Sequence, residues 1–266
     1  MATKAKKRTA AEISKIAKLL DDAQRKAKPV PQLSSKKGGA LSIEDAYRVQ
    51  DAAVKLRLKR GDTRSGVKMG LTSRAKAVQM GVFDPVYGRL TTGMLVQDGD
   101  SISHAAYCHP RVEAEVAYLL KSPMSGRLSP AEAMTHVAAV APAIEIIDSR
   151  YANFKFSLED VVADNTSASG YMLGPWARPD TDMGNLGMVL DFNGRAVEIG
   201  SSAAILGHPG RSLAEAARFA AETGDELKPG YIVLAGAAAA AVALTPGISV
   251  KLSVEALGSV GFNVEA

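Results

Sequence analysis

Glu113 and Glu115 lie two residues apart in the run His109-Pro110-Arg111-Val112-Glu113-Ala114-Glu115-Val116-Ala117-Tyr118. Val112, Ala114, Val116 and Tyr118 alternate with Glu113, Glu115 and Ala117, which is the period of a strand. Both carboxylates then face one side, roughly 7 Å apart at about 3.3 Å of rise per residue. The next residues on that side, Ala117 and Leu119, are apolar, as expected of a face turned toward a cavity. Two ionised carboxylates in a cavity repel, and a divalent cation relieves the repulsion. An all-oxygen ligand set suits Mg²⁺ or Mn²⁺ rather than zinc. A solvated strand face, or lysines on a neighbouring strand, would satisfy the same spacing.

Glu145 stands in Ala143-Ile144-Glu145-Ile146-Ile147, an apolar run after Pro142. A lone carboxylate there is costly unless it is paired or bound to a cation, so a metal ligand and a buried salt bridge are equal readings. Lys68, in Ser65-Gly66-Val67-Lys68-Met69-Gly70-Leu71-Thr72-Ser73, either meets an anionic substrate or lies on the surface with its stem packed down. Asp164-Asn165-Thr166-Ser167-Ala168-Ser169 is a polar cluster that either hydrogen-bonds a carboxylate or shapes a turn. His104, His109, His136 and His208 have no zinc spacing and read as structural. No P-loop, no strand–GxGxxG–helix unit and no nucleophile elbow is present.

These residues need a scaffold, and the sequence outlines one. Ala11 to Ala27 carries Ile13, Ile16, Leu19 and Leu20 at helical spacing. A proline- and glycine-rich loop follows, then a second helix from a Ser42 cap to about Arg60, ended by Gly61. Residues 1–64 thus read as an N-terminal helical cap region and 65–266 as a β-rich catalytic domain. Within the latter, helix starts are expected at Ser129-Pro130-Ala131-Glu132, at Ser157–Asp160, and at Ser212–Glu215 with Gly224 as the stop. Asn193-Gly194 reads as a hairpin turn. Lys228-Pro229-Gly230 and Thr245-Pro246-Gly247 each introduce a β-rich run. The fold class is α+β, a mixed sheet curled into a roll or barrel-like core.

Composition limits the function classes. With 47% hydrophobic and 23% charged residues in 266, the chain can bury a substantial core. The +4 net charge is concentrated at Lys4, Lys6, Lys7, Arg8, Lys36 and Lys37, and is expected to be a solvated tail and spot rather than a nucleic-acid face. Cys108 is the only cysteine, so no intrachain disulfide forms. There is no signal-peptide core, and the longest apolar stretch, Tyr231–Leu244, is shorter than the roughly 20 residues a spanning helix needs. A cytoplasmic enzyme without membrane or nucleic-acid partners is expected.

In order, the motifs are Lys68-Met69-Gly70-Leu71-Thr72-Ser73, Gln79-Met80-Gly81-Val82, His109–Glu115 and Ala143–Arg150. Val162-Ala163-Asp164-Asn165, Leu206-Gly207-His208-Pro209 and Leu257-Gly258-Ser259-Val260 follow. Together, from about residue 40 to the C-terminus, they closely resemble the hydratase/decarboxylase family of catechol meta-cleavage pathways, within the fumarylacetoacetate hydrolase superfamily. The resemblance implies that superfamily's mixed β-roll core with an N-terminal helical region, and a Mg²⁺ or Mn²⁺ site on Glu113, Glu115 and Glu145. It also implies an active-site Lys68 and substrate contacts at Ser167, Leu71 and Gly236.

Two branches are similar. Hydratases of this kind carry an acid just before the aromatic-Gly pair, here Tyr87-Gly88, where this chain has Val86, with Asp84 two residues earlier. Water addition uses such a carboxylate; loss of CO₂ does not. Ile147–Phe156 also resembles the decarboxylase branch. The expected reaction is therefore decarboxylation of 2-oxo-3-hexenedioate to 2-hydroxypenta-2,4-dienoate. The alternatives are a 2-hydroxypentadienoate hydratase and a non-catalytic partner subunit of a hydratase–decarboxylase complex. Expected partners are a small 2-oxo dicarboxylic acid, further copies of the chain and the pathway hydratase. Ala235-Gly236-Ala237 departs from the family's Thr-Gly-Gly or Thr-Gly-Ala turn and removes a hydroxyl.

Overall fold

Thr9 opens helix α1 (Ala10–Arg25) with a complete capping box: its hydroxyl accepts from the Glu12 N–H while the Glu12 carboxylate accepts from the Thr9 N–H. Such a cap is worth about 1 kcal/mol. In the computed structural model, residues 7–35, 38–73 and 84–266 are described. Lys4, Lys6, Lys36, Lys37 and the Gln79–Val82 segment lie outside them. Lys7 stays largely exposed, as expected of a solvated tail, whereas Arg8 is drawn into the fold. Lys7 pairs with Glu44 at 3.3 Å, the Arg8 N–H donates to Asp45 at 2.8 Å, and the Arg8 guanidinium reaches the carbonyls of Gly38 and Ala40.

Helix α2 (Ile43–Leu58) starts at the predicted Ser42 cap. The capping pattern is only half formed, because the Asp45 carboxylate turns to the Arg8 N–H and Arg48. Ile13, Ala17 and Leu20 of α1 join Ala46 and Val49 of α2 in a buried cluster with Val86, Tyr151, Val162 and Ala163. The two helices therefore close over the segments that carry Val86 and the polar 164–169 cluster.

The main sheet runs β2 (Val86–Thr91), β1 (Arg64–Gly70), β9 (Ile232–Leu234), β4 (Arg111–Leu120), β5 (Val137–Ile147) and β6 (Ala168–Leu173), with β10 (Val242–Ala243) also paired to β4. Pairing is antiparallel except for β1 with β9. A second sheet has the order β3 (Ser101–Ser103), β12 (Gly258–Glu265), β11 (Ser249–Val254), β7 (Gly187–Phe192), β8 (Arg195–Ser201). The predicted hairpin joins β7 to β8, and Asn193 and Gly194 both have positive φ, 53° and 77°, as a type I′ turn requires.

The alternation of β4 sends its two faces to different cores. Val112, Ala114, Val116 and Tyr118 pack with Leu190, Val250, Leu252 and Phe262 of the second sheet and with Leu213, Ala216 and Ala220. Ala117, on the glutamate face, joins Ala143, Ala168, Tyr171 and Leu234. With both sides covered, β4 is buried along most of its length, and so are its carboxylates.

Ser129 and Ser157 start short helices α3 (Pro130–Met134) and α4 (Leu158–Ala163) with reciprocal boxes, as predicted. The predicted start at Ser212 is wrong by one turn. Helix α5 (Pro209–Thr223) begins at a His208 cap, whose Nδ1 accepts from the Gly210 N–H, with Pro209 in its first turn. Ser212 lies inside, its hydroxyl donating to the Ala235 carbonyl at 2.6 Å. Proline fits the first turn, where its missing N–H costs nothing. Gly224 ends α5 with φ 67°.

Asp225 follows at once and ties α5 to the sheet: its Oδ2 accepts from Tyr87 at 2.7 Å, Arg89 at 2.9 Å and Arg64 at 3.0 Å. Burial would raise this carboxyl, but the two guanidiniums and the phenol outweigh it and hold the group at about 2. A depressed carboxyl stabilises the fold above its unfolded value and ceases to do so as pH falls through its folded one. Asp225→Asn should cost about 1–2 kcal/mol at pH 7, discounted for partial solvent access. The gap from wild type in urea unfolding should close between about pH 4 and pH 2.

Candidate active site and metal centre

The β4–β5 register sets Glu113 directly across from Glu145, and Glu115 across from Ala143. Two in-line glutamates on one strand and a third on its neighbour thus meet over one patch of sheet. Carboxylate oxygens of all three lie within 4.8 Å of one another. Glu115 and Glu145 are wholly buried and Glu113 nearly so. The face is indeed closed to solvent, and the solvated-strand reading fails.

Lys68 enters from β1. It is 2% exposed, not a surface lysine, and its Nζ lies 2.9 Å from Glu145 Oε2 and 3.1 Å from the Thr166 carbonyl. Its strand partner is Gly88. A Cβ at Gly88 would fall 2.9 Å from the Lys68 stem and 2.9 Å from the Asn165 carbonyl, so the glycine leaves the space the stem occupies. The two readings of Glu145 converge, since the same carboxylate belongs to the acidic triad and to a buried ion pair.

Lys68 offsets Glu145, yet burial still dominates the electrostatics of the patch. Burial pushes Glu145 up to about 7 despite the opposing ammonium. Burial, then the neighbouring Glu145, pushes Glu115 well above the carboxylate range. Burial would lower Lys68, but Glu145, Glu113 and Glu115 together raise it, so it stays an ammonium at neutral pH. Glu115 Oε2 accepts the Gly236 N–H at 2.7 Å, whereas Glu115 Oε1 and Glu145 Oε1 meet no hydrogen-bond donor among the described residues. Buried carboxylate oxygens without donors, converging from two strands, fit a hard divalent cation.

A cavity of about 480 Å³ opens over this patch. Lys68, Leu71, Glu113 and Ser167 line it, together with Thr72, Arg111, Thr166, Ile147, Phe154 and Phe156. The Ser167 hydroxyl is buried and has no hydrogen-bond partner among the described residues. Gly236 is placed differently from the expectation of a substrate contact: its N–H is spent on Glu115. Its φ is 100°, and a Cβ there would fall 2.2 Å from the Thr72 hydroxyl. Ala235 is buried against Ser212, while Ala237 lines the cavity.

The polar cluster is more than a turn. Asn165, Thr166 and Ser167 all have left-handed φ, 49°, 54° and 59°, costly for non-glycine residues. The Asn165 side chain holds them by bonding both the N–H and the carbonyl of Arg89, at 2.8 and 2.9 Å. Thr166 donates to the Tyr87 carbonyl, and Arg150 braces Asp164 at 2.5 Å and Ser169 at 2.7 Å. Arg111, Thr72, Phe154 and Phe156 were not singled out from the sequence. Arg111 alone had a local signal, since it shares the alternating face of Glu113.

The model of the fumarylacetoacetate (FAA) hydrolase C-terminal family matches residues 61–265. The chain is 53% identical to a 4-oxalocrotonate decarboxylase of a Pseudomonas species, over 95% of this chain and 98% of that protein. A TodF product hydratase of Pseudomonas putida F1 is 36% identical, with 84% of each chain covered. Among solved structures, the 4-oxalocrotonate decarboxylase of Pseudomonas putida G7, complexed with magnesium and adipate, superposes with a TM-score of 0.93. It is 34% identical, with 97% of this chain and 99% of that one covered.

Neutralising a candidate ligand should affect the apo and metal-loaded protein in opposite ways. Glu115→Gln removes a carboxyl that the metal-free fold must either bury charged or protonate at neutral pH, so the metal-free protein should melt higher than wild type. The same change should weaken Mg²⁺ or Mn²⁺ by at least about 100-fold, beyond the loss typical of an outer partner, and abolish the melting rise that metal gives. Calorimetry with and without added metal reads both. Unchanged metal affinity would remove Glu115 from the ligand set.

Proposed function

Because the chain belongs to the fumarylacetoacetate hydrolase family, we propose that it is a divalent-metal-dependent carboxy-lyase acting on 2-oxo-3-hexenedioate, with CO₂ and 2-hydroxypenta-2,4-dienoate as products. The observation that carries the reading is the meeting of Glu113, Glu115, Glu145 and Lys68 at one patch, over which lies a cavity that Lys68, Glu113 and Ser167 line. The 53% identity to a 4-oxalocrotonate decarboxylase supports the choice of reaction, since the hydratase relative is more distant.

Glu113, Glu115 and Glu145 would hold Mg²⁺ or Mn²⁺, which supplies Lewis acidity at the 2-oxo group. The electron pair of the breaking C5–C6 bond moves through the C3–C4 double bond to the 2-oxo oxygen, where charge develops. Lys68, held as an ammonium by its carboxylate neighbours, offers positive charge and a proton there; it is no general base at neutral pH. Ser167 donates its free hydroxyl to the substrate's C1 carboxylate, and Leu71 supplies an apolar wall. Gly236 acts at one remove, fixing Glu115 through its N–H. The apolar surroundings favour release of neutral CO₂ from a charged carboxylate.

Two observations weigh against the hydratase reading. Val86, at the position where the hydratases carry an acid, is buried and lines the cavity. Asp84 is paired instead with Arg218 at 2.6 Å, on an exposed surface. A non-catalytic subunit would not need the buried carboxylates, whose repulsion costs stability. The hydratase relative supports a pairing of this chain with a hydratase that consumes the dienoate, which co-migration of the two purified proteins on gel filtration tests.

Incubation with 2-oxo-3-hexenedioate should release CO₂ only with Mg²⁺ or Mn²⁺ present, with the dienoate appearing in the ultraviolet. Metal-dependent loss of supplied dienoate without CO₂ would establish the hydratase instead. Protons on Glu145 and Glu115 must leave before metal binds. Apparent metal affinity should therefore rise with pH through about 7, with proton release measurable by titration in buffers of different ionisation enthalpy. Lys68→Met should lower kcat by at least about 100-fold, as for loss of a transition-state charge contact, while metal still binds.

A further inference from the structure

Arg111 continues the glutamate row. It lies on β4 at the same alternation as Glu113 and Glu115, so its Cα is roughly 7 Å from that of Glu113 along the strand. Its side chain lines the same cavity. Its guanidinium sits 4.3 Å above the Phe154 ring. Among the described residues it has no carboxylate or hydrogen-bond acceptor as a partner. A half-buried guanidinium has five donors in a planar fork shaped for a carboxylate, and here the fork is oriented by stacking alone. Ile147, Phe154, Phe156 and Val161, which line the same cavity, are apolar.

We propose that Arg111 recognises the second carboxylate of the substrate, the one distal to the 2-oxo group, and so selects dicarboxylic over monocarboxylic 2-oxo acids. The inference rests on the reading of the site as one that takes a 2-oxo acid at the acidic triad. With the 2-oxo acid end at Glu113, a six-carbon chain lying along the strand brings its far carboxylate under Arg111. This is the carboxylate that leaves as CO₂, and its charge drains away as the C5–C6 bond breaks. An ion pair with Arg111 is therefore strongest in the bound ground state and weakens toward the transition state. It serves binding and selection rather than the chemical step, and its loss falls on KM, with kcat held or raised. Stacking on Phe154 also keeps the guanidinium at a fixed tilt, so that the carboxylate is gripped without being surrounded by water.

The test compares two non-reacting 2-oxo acids of equal length, 2-oxoadipate and 2-oxohexanoate, by calorimetric titration into the Mg²⁺-loaded full-length protein. Arg111→Met should weaken 2-oxoadipate by about 10–100-fold, the loss of one charged hydrogen-bonded contact, and change 2-oxohexanoate by less than about 3-fold. Arg111→Lys keeps the charge without the fork and should fall between, with a wild-type melting curve as the control for folding. With 2-oxo-3-hexenedioate as substrate, Arg111→Met should raise KM and leave kcat unchanged or higher. Equal weakening of both acids, or of neither, would overturn the role of Arg111 while leaving the site reading intact. A wild-type protein that binds neither acid would overturn the site reading itself.

Discussion

Three carboxylates converge on one buried patch, where Lys68 pairs with Glu145, and the fold around them is organised by the charge this concentrates. Ionised side chains without water cost several kcal/mol each unless their charge is met. The protein meets it in part, with Lys68 against Glu145 and the Gly236 N–H against Glu115. What is left, two oxygens without donors among the described residues and two carboxyls pushed upward, is a standing demand for positive charge. The demand is local and directional, and it is built from backbone that cannot readily relax.

That rigidity comes from where the carboxylates sit. β4 and β5 are central strands, paired on both sides and packed on both faces. Glu113 and Glu145 are held across from each other by ladder hydrogen bonds rather than by loop packing. The lysine reaches them because Gly88, its neighbour on β2, has no side chain to block the stem. The Gly236 turn can approach only because a glycine tolerates both the positive φ and the contact with Thr72. The costs of this precision are spread over the outer scaffold, where Asp225, Arg64 and Arg89 fasten α5 to the sheet.

The opposite wall is made differently. Three successive left-handed residues place the Thr166 carbonyl and the Ser167 hydroxyl beside Lys68. Such a run persists only when surrounding bonds over-determine it. Asn165 does so by taking the place of a strand partner for Arg89, and Arg150 by filling its donors with Asp164, Ser169 and nearby carbonyls. Helices α1 and α2 cover this region with the Ile13–Leu20 and Ala46–Val49 cluster. Strain at the wall, the cap over it and the acidic patch beneath it form one mechanical unit, with an apolar cavity between charged ends.

Much of this was legible in one dimension. The period-two alternation of residues 112–118 fixed which face the glutamates share, because strand geometry is local. Caps at Ser42, Ser129 and Ser157 and the Asn193-Gly194 turn were readable for the same reason. The start of α5 was misplaced because Ser212 resembles a cap by pattern, yet its hydroxyl serves a carbonyl distant in sequence. No local rule paired Glu145 with Glu113, since register between strands depends on the whole sheet. Nor could spacing tell that Lys68 is buried, that Gly236 turns its N–H to a glutamate, or that Phe154 comes to lie beneath Arg111. Sequence determined which residues carry charge and which way each strand presents them; only the tertiary structure decided which charges meet, because burial and register are properties of the assembled fold.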